Sequence, residues 1–351
     1  MRHLSEYLDE YAIEIRLKFD DDGVDIPPDA HIGCCNISDT IRRKRTMSDI
    51  TTAEPTTTET ANTGVPALLI MHQGGNNDGK LWAKALTRPV NRPDTLVANI
   101  GMSASPSVAF FNGLTYCAHQ GGRSNGELWY TTFDGTTWAA DKQIKNVEMT
   151  YSPGLVVFQN KLHCFHQGGK NNGELWYTST SDGTTWGADV HIKNVGISDS
   201  PCPIVYRNTL YVFHQGGKDN QQLWYISTTD GVTWTKDTQV KDVAISGSPG
   251  AASLNGTLYV FHQGGGANGQ LRVSTFDGTN WSADAQIAGV SMSDSPAAFL
   301  YPGMLMVFYK KSGSTGMGYV SNDTRGWSAA QTVPCVEMSG TPAVVMAPIA
   351  R

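Results

Sequence analysis

The stretch from Ser152 to Ser200, SPGLVVFQNKLHCFHQGGKNNGELWYTSTSDGTTWGADVHIKNVGISDS, sets the interpretation of the whole chain. The run GLVVF is apolar throughout and predicts a strand buried on both faces. LHCFHQ predicts a second strand, and ELWYTST, rich in strand-favouring residues, predicts a third. The loop GGKNNG between them holds an Asn-Gly pair, a strong hairpin signal. SDGTT then predicts a turn and WGADVHI a fourth strand, so the stretch describes a four-stranded antiparallel meander.

The same pattern returns along the chain at a nearly fixed interval. HQGG begins at His72, His119, His166, His214 and His262, and a degenerate copy, YKKSG, begins at Tyr309, with spacings of 47 or 48 residues. Ser-Pro pairs begin at Ser105, Ser152, Ser200, Ser248 and Ser295, and Thr341-Pro342 is a sixth, related pair. A repeat of this length is typical of one four-stranded propeller blade.

The two ends of the repeat region predict how many blades there are. The chain enters on a second strand, ALLIMHQ at Ala67, and leaves on a first strand, TPAVVMAPIA at Thr341, so each kind of strand occurs six times. Pairing of these two ends in one blade would close the ring and remove exposed sheet edges. The sequence therefore predicts an all-β fold, a β-propeller of four-stranded antiparallel blades, with six blades across residues 65–351.

Residues 1–64 do not follow this pattern. Thr51–Gly64, TTAEPTTTETANTG, is a polar linker with little apolar surface to bury. Upstream, Phe19–Thr40 weakly resembles the repeat segment FDGTNWSADAQIAGVSMSDS. Two interpretations stay open: an N-terminal extension, disordered or not, or a degenerate seventh blade. The sequence also leaves open Met47 as an alternative start.

Charge and hydropathy exclude several classes of protein. The 351 residues carry 26 Lys and Arg against 32 Asp and Glu, which argues against a nucleic-acid partner held through phosphates. No run of 18 apolar residues exists, so we expect no transmembrane segment. The N-terminal stretch is acidic where a signal peptide is apolar, and six cysteines do not form a disulfide scaffold. We therefore expect a cytoplasmic protein, or one released without a signal peptide.

The repeated motifs also predict where a ligand would bind. In a propeller, the loops between second and third strands share a face with the connections between blades, so each blade boundary gathers an imidazole, an amide and small hydroxyls. This set suits a neutral polyhydroxylated ligand, with tryptophan stacking on a sugar's C–H face. The predicted ligand-binding residues are His72, Gln73, His119, Gln120, His166, Gln167, His214, Gln215, His262, Gln263, Asn125, Asn172, Asn220, Asn268, Trp82, Trp129, Trp176 and Trp224.

Structural roles compete with ligand binding at each of these positions. The asparagines are expected mainly as turn formers, because Gly-Gly followed by Asn-Gly suits a tight hairpin loop. The histidines could instead hydrogen-bond to a neighbouring blade and hold the ring together. Tryptophans of the Asp-Gly-x-x-Trp turns are expected to pack between blades and to begin the fourth strand, namely Trp138, Trp186, Trp234, Trp281 and Trp327.

Catalysis has little support in the sequence. An enzyme needs one asymmetric set of groups, whereas the notable residues here recur in most repeats. The aspartates before Gly are expected to be turn residues, namely Asp134, Asp182, Asp230, Asp277 and Asp323. We predict no catalytic residue, no metal site and no cofactor.

Over residues 65–351 the chain resembles the β-propeller lectins and the Asp-box (BNR-like) repeat proteins. The likeness rests on the repeat length and on the turns STSDGTTW at Ser179–Trp186 and STTDGVTW at Ser227–Trp234, which have one residue fewer between Asp and Trp than the full motif. Six-bladed fucose-binding lectins are similar in architecture, and the resemblance implies sugar sites between blades. Sialidases share the fold, but their arginine triad, Tyr/Glu pair and acid/base Asp have no match here.

These observations favour a multivalent, non-enzymatic lectin whose partners are glycans or glycoconjugates. A protein-interaction or toxin-targeting propeller is the first alternative, and a sialidase-like glycoside hydrolase is the second. The sequence does not determine the sugar, the number of working sites or the oligomeric state.

Overall fold

A computed structural model describes residues 65–87, 92–323 and 325–350 of the chain. The predicted extension or degenerate blade at residues 1–64 lies outside these ranges. The described residues form twenty strands and hold no α-helix: β1 Val65–Gly74, β2 Lys80–Leu86, β3 Thr95–Phe111, β4 Leu114–Gly121, β5 Glu127–Phe133, β6 Lys142–Phe158, β7 Lys161–Gly168, β8 Glu174–Thr180, β9 Val190–Tyr206, β10 Thr209–Gly216, β11 Gln222–Thr228, β12 Thr238–Leu254, β13 Thr257–Gly264, β14 Leu271–Phe276, β15 Ala285–Gln286, β16 Met292–Tyr301, β17 Met304–Lys311, β18 Gly316–Asp323, β19 Gly326–Trp327 and β20 Gln331–Ile349.

The strands form six antiparallel blades. Long strands link them: the first half of β6 pairs with β5 in blade 2, and its second half pairs with β7 in blade 3. β3, β9 and β12 link their blades in the same way, while blade 5 ends on the short β15 and blade 6 starts on β16. Each long strand thus ends one meander and begins the next, which explains why the fourth-strand and Ser-Pro segments alternate along the sequence.

Blade 1 joins the two ends of the repeat region. The second half of β20 pairs with β1, from Val65 opposite Ile349 to Gly74 opposite Met338, while its first half pairs with β18 in blade 6. The innermost strands β20 and β3 are also in contact. The prediction of a six-bladed β-propeller is confirmed, and the first and last strands pair in blade 1 as expected. None of the helical turns in the described ranges is long and apolar enough to cross a membrane.

The hydrophobic core lies between neighbouring blades. The tryptophan of each Asp-Gly-x-x-Trp turn packs on the preceding blade: Trp234 lies edge-on to Phe165, with ring centres 5.7 Å apart, and Trp281 lies edge-on to Phe213 at 5.9 Å. The predicted packing role is confirmed. The predicted strand start is wrong for blades 3 and 4, because Trp186 and Trp234 precede β9 and β12, which begin only at Val190 and Thr238.

The second glycine of each HQGG motif lies where two blades come closest. A Cβ atom on Gly169 would lie 2.6 Å from Cβ of Glu148, on the outer strand of blade 2. A Cβ on Gly217 would lie 3.2 Å from the backbone of Gly196. Glycine is therefore required here because the neighbouring blade leaves no room for a side chain.

The register of blade 6 shows which residue stands in place of the third-strand tryptophan. Tyr309 takes the place of the motif histidine and pairs with Gly318, whereas Tyr319 pairs with Phe308. Gly318, and not Tyr319, therefore replaces the third-strand tryptophan. The reason is steric, because a Cβ on Gly318 would lie 2.6 Å from the Tyr309 ring.

Candidate functional site

The five motif histidines are buried and internally bonded. Each has no exposed surface, and its Nδ1 lies 3.0 to 3.1 Å from the carbonyl oxygen of the following glutamine. Each Nε2 lies 3.0 to 3.1 Å from an aspartate at the start of the fourth strand; the pairs are His72–Asp94, His119–Asp141, His166–Asp189, His214–Asp237 and His262–Asp284.

Because both ring nitrogens are engaged, these histidines have no free atom for a ligand. The expectation that they contact a ligand is therefore corrected. In the five blades that have the motif, the histidine links the second strand to the fourth through its aspartate. The competing sequence interpretation, a buried histidine that holds the fold, fits this geometry, although the bond stays within one blade instead of reaching the next.

The motif glutamines are also buried, at 1 to 6% exposure. Nε2 of Gln120 donates to the carbonyl of Met149, and Gln263 makes the same bond to Met292. Oε1 of Gln215 accepts from the backbone amide of Gly247. These contacts tie a blade to the strand that enters the next one, so the geometry gives Gln73, Gln120, Gln167, Gln215 and Gln263 little surface for a ligand.

The loops between second and third strands and the connections between blades lie together, as predicted. In five blades a loop amide donates to a serine or threonine hydroxyl at 2.7 to 2.9 Å; the pairs are Asn77–Ser339, Ser124–Ser103, Asn171–Thr150, Asp219–Ser198 and Ala267–Ser246. The hydroxyls therefore cap the loops and fix their position against the innermost strands.

The four predicted asparagines form turns. Oδ1 accepts from the backbone amide two residues later in each case, at 2.9 to 3.0 Å, and the side chains of Asn125, Asn172, Asn220 and Asn268 are exposed. Two of them do more than this. Nδ2 of Asn125 donates to Oε2 of Glu127 at 2.7 Å, and Nδ2 of Asn172 donates to Oε2 of Glu174 at 3.1 Å.

The third-strand tryptophans are accessible as well. Trp82, Trp129, Trp176 and Trp224 are all partly exposed, and each lies directly across from a motif histidine. One face of the Trp176 indole is stacked on His191, with ring centres 4.8 Å apart, so a ligand ring would have to stack on the other face. These residues offer flat apolar surface beside polar groups, as a sugar-stacking residue requires.

A groove of about 890 Å³ runs between blades 2 and 3 beside Trp176. Blade 2 contributes the outer half of β6, including Lys145, Asn146 and Glu148, and blade 3 contributes Asn172 and Trp176. The groove thus combines an aromatic ring, an amide and charges of both signs. This volume lies in the range of small-molecule sites.

The aspartates of the Asp-Gly-x-x-Trp turns hold those turns. Oδ1 of Asp182 accepts from the backbone amides of Thr184 and Thr185, both at 2.7 Å, and Asp230 accepts from Val232 and Thr233 in the same way. These hydrogen bonds hold the pKa of both carboxyls well below the usual range. The predicted turn role is confirmed.

A central cavity of about 1300 Å³ is lined by the Ser-Pro and Thr-Pro motifs of all six blades. The backbone amides of four motif serines each donate to the hydroxyl of the next motif serine: Ser105 to Ser152, Ser152 to Ser200, Ser200 to Ser248 and Ser248 to Ser295, at 2.8 to 3.0 Å. We call this series the serine belt. The serine hydroxyl of one blade thereby accepts a hydrogen bond from a backbone N–H on the innermost strand of the neighbouring blade.

The residue before each belt serine or threonine has a left-handed backbone, with φ between 61° and 71°, at Ala104, Tyr151, Asp199, Gly247, Asp294 and Gly340. Side chains at this position differ between blades and make the cavity asymmetric. Oδ1 of Asp199 accepts from the hydroxyls of Ser200 and Ser248, both at 3.0 Å. Burial raises the pKa of the Asp199 carboxyl, and the charge of Asp294 adds to the effect. Asp294 itself pairs with Lys310 at 3.3 Å.

Sequence reasoning missed two features of this region. Each histidine's aspartate partner follows it by 22 or 23 residues, a fixed spacing that is visible in the sequence. The second feature is a bond from the indole of Trp82, Trp129 and Trp176 to a nearby carboxylate. The recurrence of an acidic residue two or four positions before Trp was a signal for it.

No protein-family model matches the sequence, and no curated protein sequence matches it. Solved structures do match. The fungal lectin from Aleuria aurantia, described as a six-bladed β-propeller with a novel fucose recognition mode, has 15% identity, covers 80% of this chain and 98% of its own, and gives a TM-score of 0.54. AofleA from Arthrobotrys oligospora has 12% identity over 82% of this chain and 91% of its own, with a TM-score of 0.55.

A chain of a nidogen/laminin complex matches as well, with 13% identity over 80% of this chain and 98% of its own and a TM-score of 0.53. Identities this low relate the folds alone. The predicted resemblance in architecture to six-bladed fucose-binding lectins is confirmed. The chain has the fold of a six-bladed β-propeller.

Proposed function

We propose that the chain is a multivalent carbohydrate-binding protein without catalytic activity, whose sugars occupy the grooves between neighbouring blades. The observation that carries the proposal is the recurrence of a partly exposed tryptophan at the same place in four blades, next to a polar loop that is fixed by its own hydrogen bonds. Repetition on one ring allows several weak contacts with a branched or clustered glycan at once.

Solvent exposure separates the residues that could contact a sugar from those that could not. The tryptophans and the exposed polar groups around them, such as Glu174 and Asn172, are available, whereas the motif histidines and glutamines are buried. A six-bladed lectin from Aleuria aurantia with a described fucose recognition mode shows that such a ring can serve a lectin. Sugar binding by this chain rests on the groove chemistry and stays a proposal.

A glycan array combined with haemagglutination tests the proposal. We expect binding to clustered glycans, with inhibition by the free sugar, and weaker agglutination for Trp176→Ala. A stacking contact is worth about 0.5–1.5 kcal/mol, so Trp176→Ala should weaken its own site and leave the others working. Leu300→Ala serves as the control, because Leu300 is 44% exposed and lies in blade 6, which has no third-strand tryptophan. Absence of binding to every glycan would refute the proposal.

The central cavity supports a second candidate, a glycoside hydrolase. Burial raises the pKa of Asp199, whereas Asp294 is paired with Lys310, so the cavity holds two carboxyl groups in different environments, one of the features that glycoside hydrolysis needs. Turnover of fluorogenic glycosides, abolished by Asp199→Asn, would favour this candidate over the lectin. Binding of a protein that free sugars do not displace would favour the protein-interaction alternative.

A further inference from the structure

The four third-strand tryptophans do not have equivalent surroundings, because only three of them pair the indole with a carboxylate. The Trp129 indole N–H donates to Oε2 of Glu127 at 3.1 Å, and that of Trp176 donates to Oε2 of Glu174 at 3.3 Å. In blade 1 the Trp82 indole donates to Oδ2 of Asp78 at 2.9 Å. In blade 4 the matching residue is Gln222, and the indole nitrogen of Trp224 is buried without a partner among the residues described.

In blade 1 the carboxylate that pairs with the indole comes from a different sequence position than in blades 2 and 3. There the residue two before the tryptophan is Lys80, and the acidic group comes from the turn position that asparagine occupies elsewhere. Asp78 therefore both accepts the turn amide of Lys80 through Oδ1 and receives the indole bond through Oδ2. The carboxylate–indole pair thus occurs three times although two different positions supply it, which points to a role for the pair itself.

The pair leaves part of the carboxylate available. In blades 2 and 3 the asparagine amide and the indole both donate to Oε2, so the glutamate is held in one place while Oε1 makes no hydrogen bond within the described chain. A carboxylate offers about four lone-pair sites and donates no hydrogen bond at neutral pH. In blade 1 each oxygen of Asp78 accepts one bond, so this carboxylate also keeps acceptor sites. Beside the exposed indole the carboxylate would accept hydroxyl donors from a ring stacked on the tryptophan.

We infer that Trp82, Trp129 and Trp176 mark three working sites for neutral sugars, and that the Trp224 groove is not one of them. The inference rests on the proposed function and names its ligand class and its number of tryptophan sites. Sugars that carry a carboxylate next to the stacked face are disfavoured, because they would place two negative charges together. Hydroxyl-rich neutral sugars match both the acceptor and the aromatic ring.

Indole N–H resonances in a proton–nitrogen NMR spectrum can test each groove separately, since the chain has nine tryptophans and their signals can be assigned by single Trp→Phe changes. The probes are methyl glycosides of glucose, galactose, fucose, mannose and N-acetylglucosamine. The uronic acid counterparts of the glucose and galactose glycosides are titrated beside them. For any neutral sugar that binds, we expect the Trp82, Trp129 and Trp176 signals to shift on titration and the Trp224 signal to stay in place. The matching uronate should bind at least tenfold more weakly.

Two variants separate a binding role from a structural one. Glu174→Gln should weaken the sugar affinity read from the Trp176 signal at least tenfold. The affinities read from Trp82 and Trp129 should not change. Gln222→Ala is the matched control and should change none of the sugar-dependent shifts. Glu127→Gln, read at Trp129, repeats the test if Glu174→Gln fails to fold.

The outcomes distinguish this inference from the proposed function. If the glycan array shows no binding, the proposed function fails and the inference fails with it. If glycans bind but Trp224 responds like the other three, or Glu174→Gln leaves the Trp176 response intact, or a uronate binds as well as its neutral partner, only this inference is overturned.

Discussion

The backbone amide of Thr341 donates a hydrogen bond of 2.7 Å to the hydroxyl of Ser105, which lies 236 residues earlier in the chain. This bond extends the serine belt from the last innermost strand, β20, to the first, β3. Together with the pairing of β1 and β20, it holds the two ends of the propeller in one ring.

Ser105→Ala should therefore destabilise the whole propeller. The change leaves the Thr341 amide without its acceptor at a nearly buried position, and loss of one such partner costs about 1–3 kcal/mol. The denaturant midpoint measures the effect. Ser181→Ala, at an exposed turn, is the control and should leave the midpoint within error. Equal stability of both variants would contradict a role for the belt in closure.

Gly169→Ala should weaken the contact between blades 2 and 3. The added Cβ would lie 2.6 Å from Cβ of Glu148, so the blades must move apart, and overpacking of this kind costs about 1–3 kcal/mol. Thermal unfolding measures the loss. Gly101→Ala is a matched control on an outer strand, since its added Cβ has no neighbour closer than 4.0 Å. A Gly169→Ala variant as stable as Gly101→Ala would show that the blades are less closely packed than described.

His214→Ala should destabilise the fold without changing the chemistry of the grooves. The Asp237 carboxylate, 15% exposed, would lose its partner, and breaking a buried pair in this way costs about 3 kcal/mol. His191→Ala removes a 29% exposed histidine and should cost far less. The free energy of unfolding from urea titration compares the two. A His214→Ala variant that kept its stability but lost glycan binding would contradict this structural role and would indicate that the motif histidines bind the ligand.

The turn aspartates should make the propeller sensitive to acid. Hydrogen bonds from backbone amides lower the pKa of Asp134, Asp182, Asp230 and Asp277 in the folded chain. A lowered folded pKa gives stability that is present above the unfolded value, about 4, and is lost as the pH falls below it. Asp182→Ala should thus be less stable at pH 7 and show a smaller loss between pH 5 and pH 2. A parallel pH dependence in both proteins would contradict this origin.

The fold could be predicted because each blade is a local meander with its own turn residues. Spacing of the HQGG and Ser-Pro motifs determined the blade count, and the offset between them predicted the pairing of β1 with β20. Strand starts were less predictable. Trp186 reads as a strand residue, yet it packs on Tyr130 of the preceding blade from a turn, at a ring distance of 5.7 Å.

The residues of the candidate site could be predicted only in part, because their burial depends on packing between strands that are distant in the sequence. His and Gln are uncommon in strand interiors, and their repetition resembled a ligand signature. Burial of His166 with Asp189 and of Gln167 against Ile197 depends on where the fourth strand and the next blade come to lie. The spacing of 22 or 23 residues between histidine and aspartate is visible in the sequence, but it does not show that the two side chains meet. Trp176 is a predicted stacking residue and its side chain is partly exposed. The bond from its indole to Glu174 was missed, although an acidic residue also stands two positions before Trp129.

A crystal structure of the chain soaked with the free sugar that best inhibits agglutination tests the central claim most directly. The account predicts sugar stacked on Trp82, Trp129 and Trp176, with ring hydroxyls donating to Asp78, Glu127 and Glu174. A single sugar in the central cavity beside Asp199, with the grooves between blades empty, would contradict it.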